Sequence, residues 1–229
     1  TALAVGVVIG GLLQLALQLP VLWKKGYPIK PRFAFNNAKL IKITLLMLPA
    51  TVGVGVYYLN ITVGNILASL LPQGSISYLY YAQRLFEFPQ GVFTVSVAQA
   101  VLPAMSRQAA EGDLPAMKDS LNYGIRLTLF VTIPALVGLS VCAEPLMSLL
   151  FMGGQFDHAM ALQSARALVF YSLGLSCVAL VRVLAPAFYA LQDTKTPVIT
   201  AFVAFLLNLG FSLWLMGPML HSGLALASS

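Results

Sequence analysis

Charged residues are scarce in this sequence of 229 residues. Only 9% are charged, while 59% are hydrophobic. A soluble domain usually carries about a quarter charged residues, so the composition excludes an ordinary soluble globular fold. In a bilayer only helices and closed barrels satisfy every backbone polar group, and long apolar runs favour helices. We therefore predict an all-α, polytopic transmembrane helical bundle.

The residues that usually perform catalysis are also few. The chain has two cysteines, two histidines and seven acids, and only Glu87 among the acids lies deep in an apolar run. No zinc, nucleophile-elbow, nucleotide or CxxC motif occurs, so we predict no enzyme, no metal site and no cofactor. The net charge of +6 is typical of cytoplasmic membrane loops, so we predict no nucleic-acid partner.

Apolar runs divide the chain into six predicted spans, and residues 221–229 open a seventh. The spans are 1–23, about 40–72, about 76–107, about 120–142, about 158–190 and 196–217. Proline removes a helix hydrogen bond, so we predict bends at the prolines within four spans. These prolines are Pro49, Pro89, Pro103, Pro134 and Pro186. The chain starts inside an apolar run, and we expect it to be a piece of a longer protein.

Lysine and arginine are distributed unevenly among the predicted loops. Loops 24–42, 107–118 and 191–196 contain them, whereas loops 72–75 and 143–157 contain none. By the positive-inside rule the first set is cytoplasmic. The basic stretch 24–39 is the predicted domain boundary. It serves as a topology determinant or as a contact for anionic lipid headgroups, and the sequence leaves both readings open.

The segment LYYAQRLFEFPQG, residues 79–91, places Arg84 and Glu87 inside an otherwise apolar helix. A charge at mid-bilayer costs about 2.5–3.5 kcal/mol on insertion scales. Gln83, Glu87, Gln90 and Thr94 recur at helical spacing and form one polar stripe beside Arg84. The stripe favours a hydrophilic path over a simple ion pair that joins helices, although both readings remain open.

Other polar residues within the spans allow plainer interpretations. Single amides such as Asn60 and Asn208 often join helices by hydrogen bonds. Arg126, Arg166 and Arg182 are placed so that their side chains could reach a membrane surface, and we interpret them as snorkelling residues.

Four motifs resemble those of one transporter family. They are SISYLYYAQRLFEFPQGVFTVSVAQAVLPAMSR at 75–107, TIPALVGLSVCAEPLMSLLF at 132–151, ARALVFYSLGL at 165–175 and APAFYALQDTKTPV at 185–198. Their sequences, and the order in which they occur, resemble the corresponding motifs of the MurJ/MviN lipid II flippases. That family belongs to the multidrug/oligosaccharidyl-lipid/polysaccharide exporter superfamily.

The resemblance implies two lobes of helices around a central cavity. Residues 1–23 would be the last helix of the first lobe, 24–39 a cytoplasmic loop, and 40–229 a truncated second lobe. The implied activity is movement of lipid II, an undecaprenyl-diphosphate-linked peptidoglycan precursor, across the bacterial cytoplasmic (inner) membrane by alternating access. Arg84 would hold the diphosphate, and Glu87 would orient Arg84. Membrane lipids are the other expected partners.

The chain also departs from the family pattern. Gln83 stands where many members have aspartate, and Thr94 where many have glycine. Some members are thought to couple to sodium, so we expect a sodium ion or the membrane potential as driving force, with Asn60 and Asn208 as the nearest ion ligands. The alternative functions are export of another lipid-linked oligosaccharide or of drugs within the same superfamily, and a non-transporting membrane scaffold.

Overall fold

A computed structural model describes residues 2–26 and 38–229 of the chain. Within these residues the regular structure is helical. The helices are α1 (Ala2–Lys24), α2 (Ala38–Ser69), α3 (Ser75–Pro89), a π-helical turn (Gln90–Thr94), α4 (Val95–Glu111), α5 (Leu114–Val141), α6 (Ala143–Phe151), α7 (His158–Leu173), α8 (Leu175–Ala190), α9 (Lys195–Met219) and α10 (His221–Ser228). The predicted all-α class is confirmed.

The number of membrane-spanning helices also agrees with the prediction. Five helical stretches are long and apolar enough to cross a bilayer: Val5–Leu22, Thr51–Ser69, Ser75–Glu111, Leu114–Val141 and Lys195–Met219. A sixth is obtained if α7 and α8, which meet at 47°, form one broken span. The chain is thus a multi-pass membrane protein.

The chain divides into two compact units, Thr1–Ile43 and Thr44–Ser229. In the first unit, α1 is apolar along almost its whole length and ends at Lys24, where a basic side chain suits the negative end of the helix dipole. Most of the predicted basic loop 24–39, residues 27–37, lies outside the described residues.

The span over α3 and α4 is continuous but changes its winding midway. Residues Gln90–Thr94 form a π-helical turn directly after Pro89, whose ring nitrogen has no hydrogen to donate. A π-helical turn within an α-helix interrupts the regular spacing of 3.6 residues per turn. Pro89 was a predicted bending point, and the irregular turn follows it.

The fifth predicted span breaks at a different place from the expected one. We predicted its bend at Pro186, but Pro186 lies inside α8, and the chain bends at Gly174 between α7 and α8. Asp157 caps the start of α7, because its carboxylate accepts a hydrogen bond of 2.8 Å from the N–H of Met160. Gly174 lies between the two helices, and glycine weakens a helix more than most residues do. We attribute the bend to this glycine.

Buried residues of α3, α4, α5, α6, α7 and α8 form the core of the second unit. Met105, Met147, Leu168, Leu175 and Val183 are fully buried. Small residues let the helices approach closely: a side-chain carbon added at Gly124 of α5 would lie 3.2 Å from a methyl of Val183 and 3.4 Å from one of Val101. Close packing around small residues is typical of helices in membranes.

Candidate functional site

A polar cavity of about 780 Å³ lies within the second unit. Its walls come from α2, α3, α8, α9 and α10, with Gln90 of the π-helical turn and Tyr171 of α7. The polar side chains that line it are Tyr57, Asn60, Asn65, Tyr80, Gln83, Arg84, Glu87, Gln90, Tyr171, Arg182, Asn208, Ser212 and Ser228. Most of the predicted polar stripe thus faces a cavity.

Helix α3 supplies a connected group of polar side chains around Glu87. Nη1 of Arg84 lies 3.2 Å from Oε2 of Glu87, and Nε2 of Gln83 donates a 2.9 Å hydrogen bond to Oε1. Each carboxylate oxygen therefore has its own donor. Helical spacing explains the arrangement, because residues three and four apart are neighbours on one face.

Tyr80 supports the other side of the Arg84 guanidinium. Its hydroxyl accepts a 3.3 Å hydrogen bond from Nη2 of Arg84, and the centre of its ring lies 4.7 Å from the guanidinium carbon. A guanidinium held over an aromatic ring is attracted to the negative face of the ring. Arg84 is thus oriented by two neighbours, Tyr80 and Glu87, and its side chain lines the cavity.

The ion pair remains open to the cavity. The side chain of Arg84 is 56% exposed, and that of Glu87 is 41% exposed. Exposed ion pairs contribute little to the stability of a fold because solvent screens them, so stability alone does not explain why these two charges are here. Arg84 can therefore accept a further ligand without breaking a buried ion pair.

The last two residues of the predicted stripe, Gln90 and Thr94, differ in their position relative to the cavity. Gln90 lines the cavity and is almost buried, and its Nε2 has no hydrogen-bond partner among the described residues. Thr94 is 1% exposed and does not line the cavity. The predicted wall thus contains Gln83, Glu87 and Gln90 but not Thr94. Residues 90–94 form the π-helical turn. Its spacing differs from the 3.6-residue period from which the stripe was predicted.

The two asparagines expected near an ion also line the cavity. Asn60 lies on α2, and Asn208 lies on α9. Nδ2 of Asn208 donates a 2.9 Å hydrogen bond to the carbonyl oxygen of Ala227, which joins α9 to α10. This bond fits the reading of Asn208 as a residue that holds helices together, and it leaves the amide oxygen of Asn208 uncommitted.

Arg182 is a charged residue of the cavity wall that sequence reasoning missed. We interpreted it as a snorkelling side chain, but it lines the cavity together with Val178, one turn earlier on α8. The i and i+4 spacing of these residues shows that one face of α8 forms part of the wall. The sequence analysis did not locate the break between α7 and α8. The position of that break determines which face of α8 is turned toward the cavity.

The acidic, histidine and cysteine side chains do not converge on the cavity. Among residues 2–26 and 38–229, no group of three or more such side chains could hold a metal ion. Cys142 and Cys177 are free thiols at exposed positions. The cavity instead offers guanidinium groups, amides and hydroxyls, which suit a polar or anionic ligand.

The helices and the cavity together define a class: a multi-span α-helical membrane protein with a polar, arginine-containing cavity between its helices. Within that class, residues 1–229 match the family described as "Lipid II flippase MurJ". The chain belongs to the MurJ lipid II flippase family, and it is a multi-pass protein of the bacterial cytoplasmic membrane.

Individual relatives give the same assignment. The chain is 40% identical over 99% of its length to a probable lipid II flippase MurJ of Vibrio cholerae and 39% identical over its full length to one of Haemophilus influenzae. A solved structure, "Lipid II flippase MurJ, inward closed conformation", covers 89% of the chain with a TM-score of 0.73 and 30% identity.

The matches also limit what this chain contains. It covers 43% of the Vibrio cholerae relative, 46% of the Haemophilus influenzae relative and 43% of the solved chain. The chain thus spans less than half the length of these relatives, and the activity belongs to the whole protein.

Proposed function

We propose that the whole protein moves lipid II from the inner to the outer leaflet of the cytoplasmic membrane by alternating access. The observation that carries the proposal is the placement of Arg84 on the wall of a polar cavity in a chain of the MurJ family. Flipping breaks no bond of the substrate, so the protein acts as a transporter and needs no catalytic group.

Arg84 suits a diphosphate for two reasons. Its guanidinium is planar, permanently charged and able to donate two parallel hydrogen bonds to phosphate oxygens. Tyr80 and Glu87 hold its orientation, so little side-chain freedom is lost when a ligand binds. Gln83 and Gln90 add amide groups for the polar parts of the substrate.

Two features favour lipid II over the alternative functions. A drug exporter for cations would favour several acids in the cavity, but Glu87 is the one acid among the described residues that line it. A non-transporting scaffold would pack its polar stripe tightly, whereas Arg84 and Glu87 face an open space. The family match supports a lipid-linked substrate rather than a free sugar.

The proposal also includes the driving force for transport, which is either a sodium gradient or the membrane potential. Asn60, Asn208, Ser212 and Ser228 bring neutral oxygen atoms to the wall of the cavity. Neutral oxygens fit a weakly held sodium ion, and the membrane potential is the other candidate. Transport in vesicles with an imposed sodium gradient, or with a potential and no gradient, separates the two.

The experiment that tests the proposal uses the complete protein. We expect the wild type to complement a flippase-depleted strain and Arg84→Ala to abolish complementation while membrane insertion stays intact. Arg166→Ala is the matched control, because Arg166 lies on α7, is exposed and does not line the cavity. Normal growth with Arg84→Ala would refute the role of Arg84. Failure of the wild type to move labelled lipid II in proteoliposomes would refute the activity.

A further inference from the structure

We propose that three spans of the second unit share one hinge, at which they change their bend during transport. The hinge is a layer of unpaired hydroxyl groups from Thr94, Thr132 and Ser176, which we call the hydroxyl layer. None of these three residues lines the cavity. The inference rests on the proposed alternating-access function and adds to it a part of the second unit that moves.

Gly124 marks a level at which three helices of the second unit meet. Helices α4, α5 and α8 pack against one another. A side-chain carbon added at Gly124 of α5 would lie 3.4 Å from a methyl of Val101 on α4 and 3.2 Å from a methyl of Val183 on α8. These three residues therefore lie at one depth of the helix bundle, and we call them the glycine layer.

The hydroxyl layer lies two helical turns from the glycine layer, on its outer side. Thr94 and Ser176 each precede the glycine-layer residue of their own span by seven residues, and Thr132 follows Gly124 by eight. Helices α4 and α8 end, and α5 begins, at the loops that we predict to be cytoplasmic. Helix α5 thus runs opposite to the other two, so all three displacements point toward the outer side.

The hydroxyl groups of this layer have no hydrogen-bond partner among the described residues. Thr94 and Thr132 are each 1% exposed, and Ser176 is partly buried. An exposed threonine behaves differently: the hydroxyl of Thr51 on α2 donates a 3.0 Å hydrogen bond to the carbonyl oxygen of Met47, one turn earlier. A buried hydroxyl without a partner raises the free energy of the state that contains it. The described arrangement of the three spans therefore leaves hydrogen bonds unmade.

Each of the three spans also has an irregular backbone near this level. In the span of α3 and α4, the π-helical turn ends at Thr94. The span of α7 and α8 breaks at Gly174, two residues before Ser176, and its two helices meet at 47°. In α5, Pro134 lies two residues after Thr132 and has no N–H to donate to the preceding turn. Because π-helical turns and prolines are common causes of helix bends, the three spans bend most readily at this level.

A change of bend at the hydroxyl layer would move part of the cavity wall. Arg84 and Glu87 lie on α3, before the π-helical turn, and Gln90 begins the turn. A bend at the turn therefore shifts the segment that carries these side chains relative to α4. A serine or threonine hydroxyl that binds the carbonyl oxygen one turn earlier tends to bend its own helix. The unpaired hydroxyls thus gain their missing hydrogen bonds when the spans bend, which lowers the free energy of the bent state.

The test uses the complete protein in proteoliposomes with labelled lipid II. Thr132→Val removes the hydroxyl and keeps the shape of the side chain. We expect its melting temperature in detergent to rise, because an unpaired buried hydroxyl is lost, and its maximal flipping rate to fall about tenfold, because the bent state loses a hydrogen bond. The half-saturating concentration of lipid II should stay unchanged, since Thr132 lies outside the cavity. Thr132→Ser, which keeps the hydroxyl, should retain most of the rate.

A second variant and a matched control keep the result specific to the hydroxyl layer. Thr94→Val should show the same pair of effects as Thr132→Val. Thr51→Val is the control, because the hydroxyl of Thr51 is exposed and already bonded, and it should change neither the melting temperature nor the rate in this way. If the wild type flips lipid II, a wild-type maximal rate in either valine variant of the layer, or no rise in its melting temperature, overturns the inference. If the wild type does not flip lipid II, the proposed function fails, and the hinge fails with it.

Discussion

Oε2 of Glu87 lies 3.2 Å from Nη1 of Arg84, one helical turn earlier on the same cavity wall. The other oxygen of the carboxylate is bound by Gln83. Glu87 therefore helps to set the direction of the Arg84 guanidinium, and under the proposed function it would act on the substrate through Arg84.

The first prediction is that Glu87→Gln weakens transport without abolishing it. Glutamine keeps an oxygen that can accept a hydrogen bond from Arg84, but it loses the negative charge. We expect partial complementation of a flippase-depleted strain by this variant, and normal complementation by Glu144→Gln, an exposed acid of α6 outside the cavity. Complete loss of growth with Glu87→Gln would show that Glu87 contributes as much as Arg84.

The second prediction concerns access to the cavity wall. With Cys142 and Cys177 replaced by serine, Gln83→Cys should react with a water-soluble thiol reagent, because Gln83 lines the cavity. Thr94→Cys should react far more slowly, because Thr94 is 1% exposed. Equal labelling at both positions would contradict the described geometry, and no labelling at either would favour a packed scaffold.

The third prediction tests the close approach of α4, α5 and α8. Gly124→Leu forces a side chain against Val101 and Val183, and overpacking of this kind costs about 1–3 kcal/mol. The melting temperature of the purified protein in detergent should fall. Gly138→Leu on the same helix is the matched control, because nothing lies within 4 Å of a carbon added there. If the melting temperature falls equally in both variants, the effect is due to the loss of a glycine in general and not to overpacking at residue 124.

The fourth prediction concerns Asp193, which lies in the loop before α9. The hydroxyl of Thr196 donates a 2.6 Å hydrogen bond to Oδ2, and the N–H groups of Thr196 and Lys195 donate to Oδ1. These donors, with the Thr196 hydroxyl foremost, hold the pKa of the Asp193 carboxyl below its usual value. The carboxylate therefore stabilises the fold above its unfolded-state pKa, and this contribution is lost as the pH falls through the lower folded-state pKa.

Asp193→Asn should accordingly lower the melting temperature at neutral pH, and the difference from the wild type should shrink as the solution is acidified. Asp119→Asn is the control, because Asp119 is exposed on α5. A difference between wild type and Asp193→Asn that stays constant with pH would show that the charge of Asp193 has no part in the stability.

Much of the fold could be predicted because composition and bilayer thickness constrain it strongly. A chain with so few charges must span a membrane, and helical runs of about 20 residues must cross it. The number of spans follows from the runs. The break at Gly174 did not follow, because proline is the more common cause of a bend and Pro186 is accommodated inside α8.

The candidate site was predictable where it follows the period of one helix. Gln83, Arg84, Glu87 and Gln90 are close in sequence, so ordinary helical spacing places them on one wall. Thr94 falls off that wall because the π-helical turn changes the spacing after Pro89. Such a turn depends on how the helix packs against its neighbours, and a regular period does not reveal it.

The sequence by itself determined the class of this protein, the positions of its spans and the unusual pair Arg84 and Glu87. These follow from transfer energies and helical periodicity, which act on each segment alone. Only the tertiary structure decided that the pair faces a cavity, that Thr94 is packed away and that Arg182 points inward. Those facts depend on the packing of α2, α3, α8 and α9 around a shared space, and residues distant in sequence must be brought together to create it.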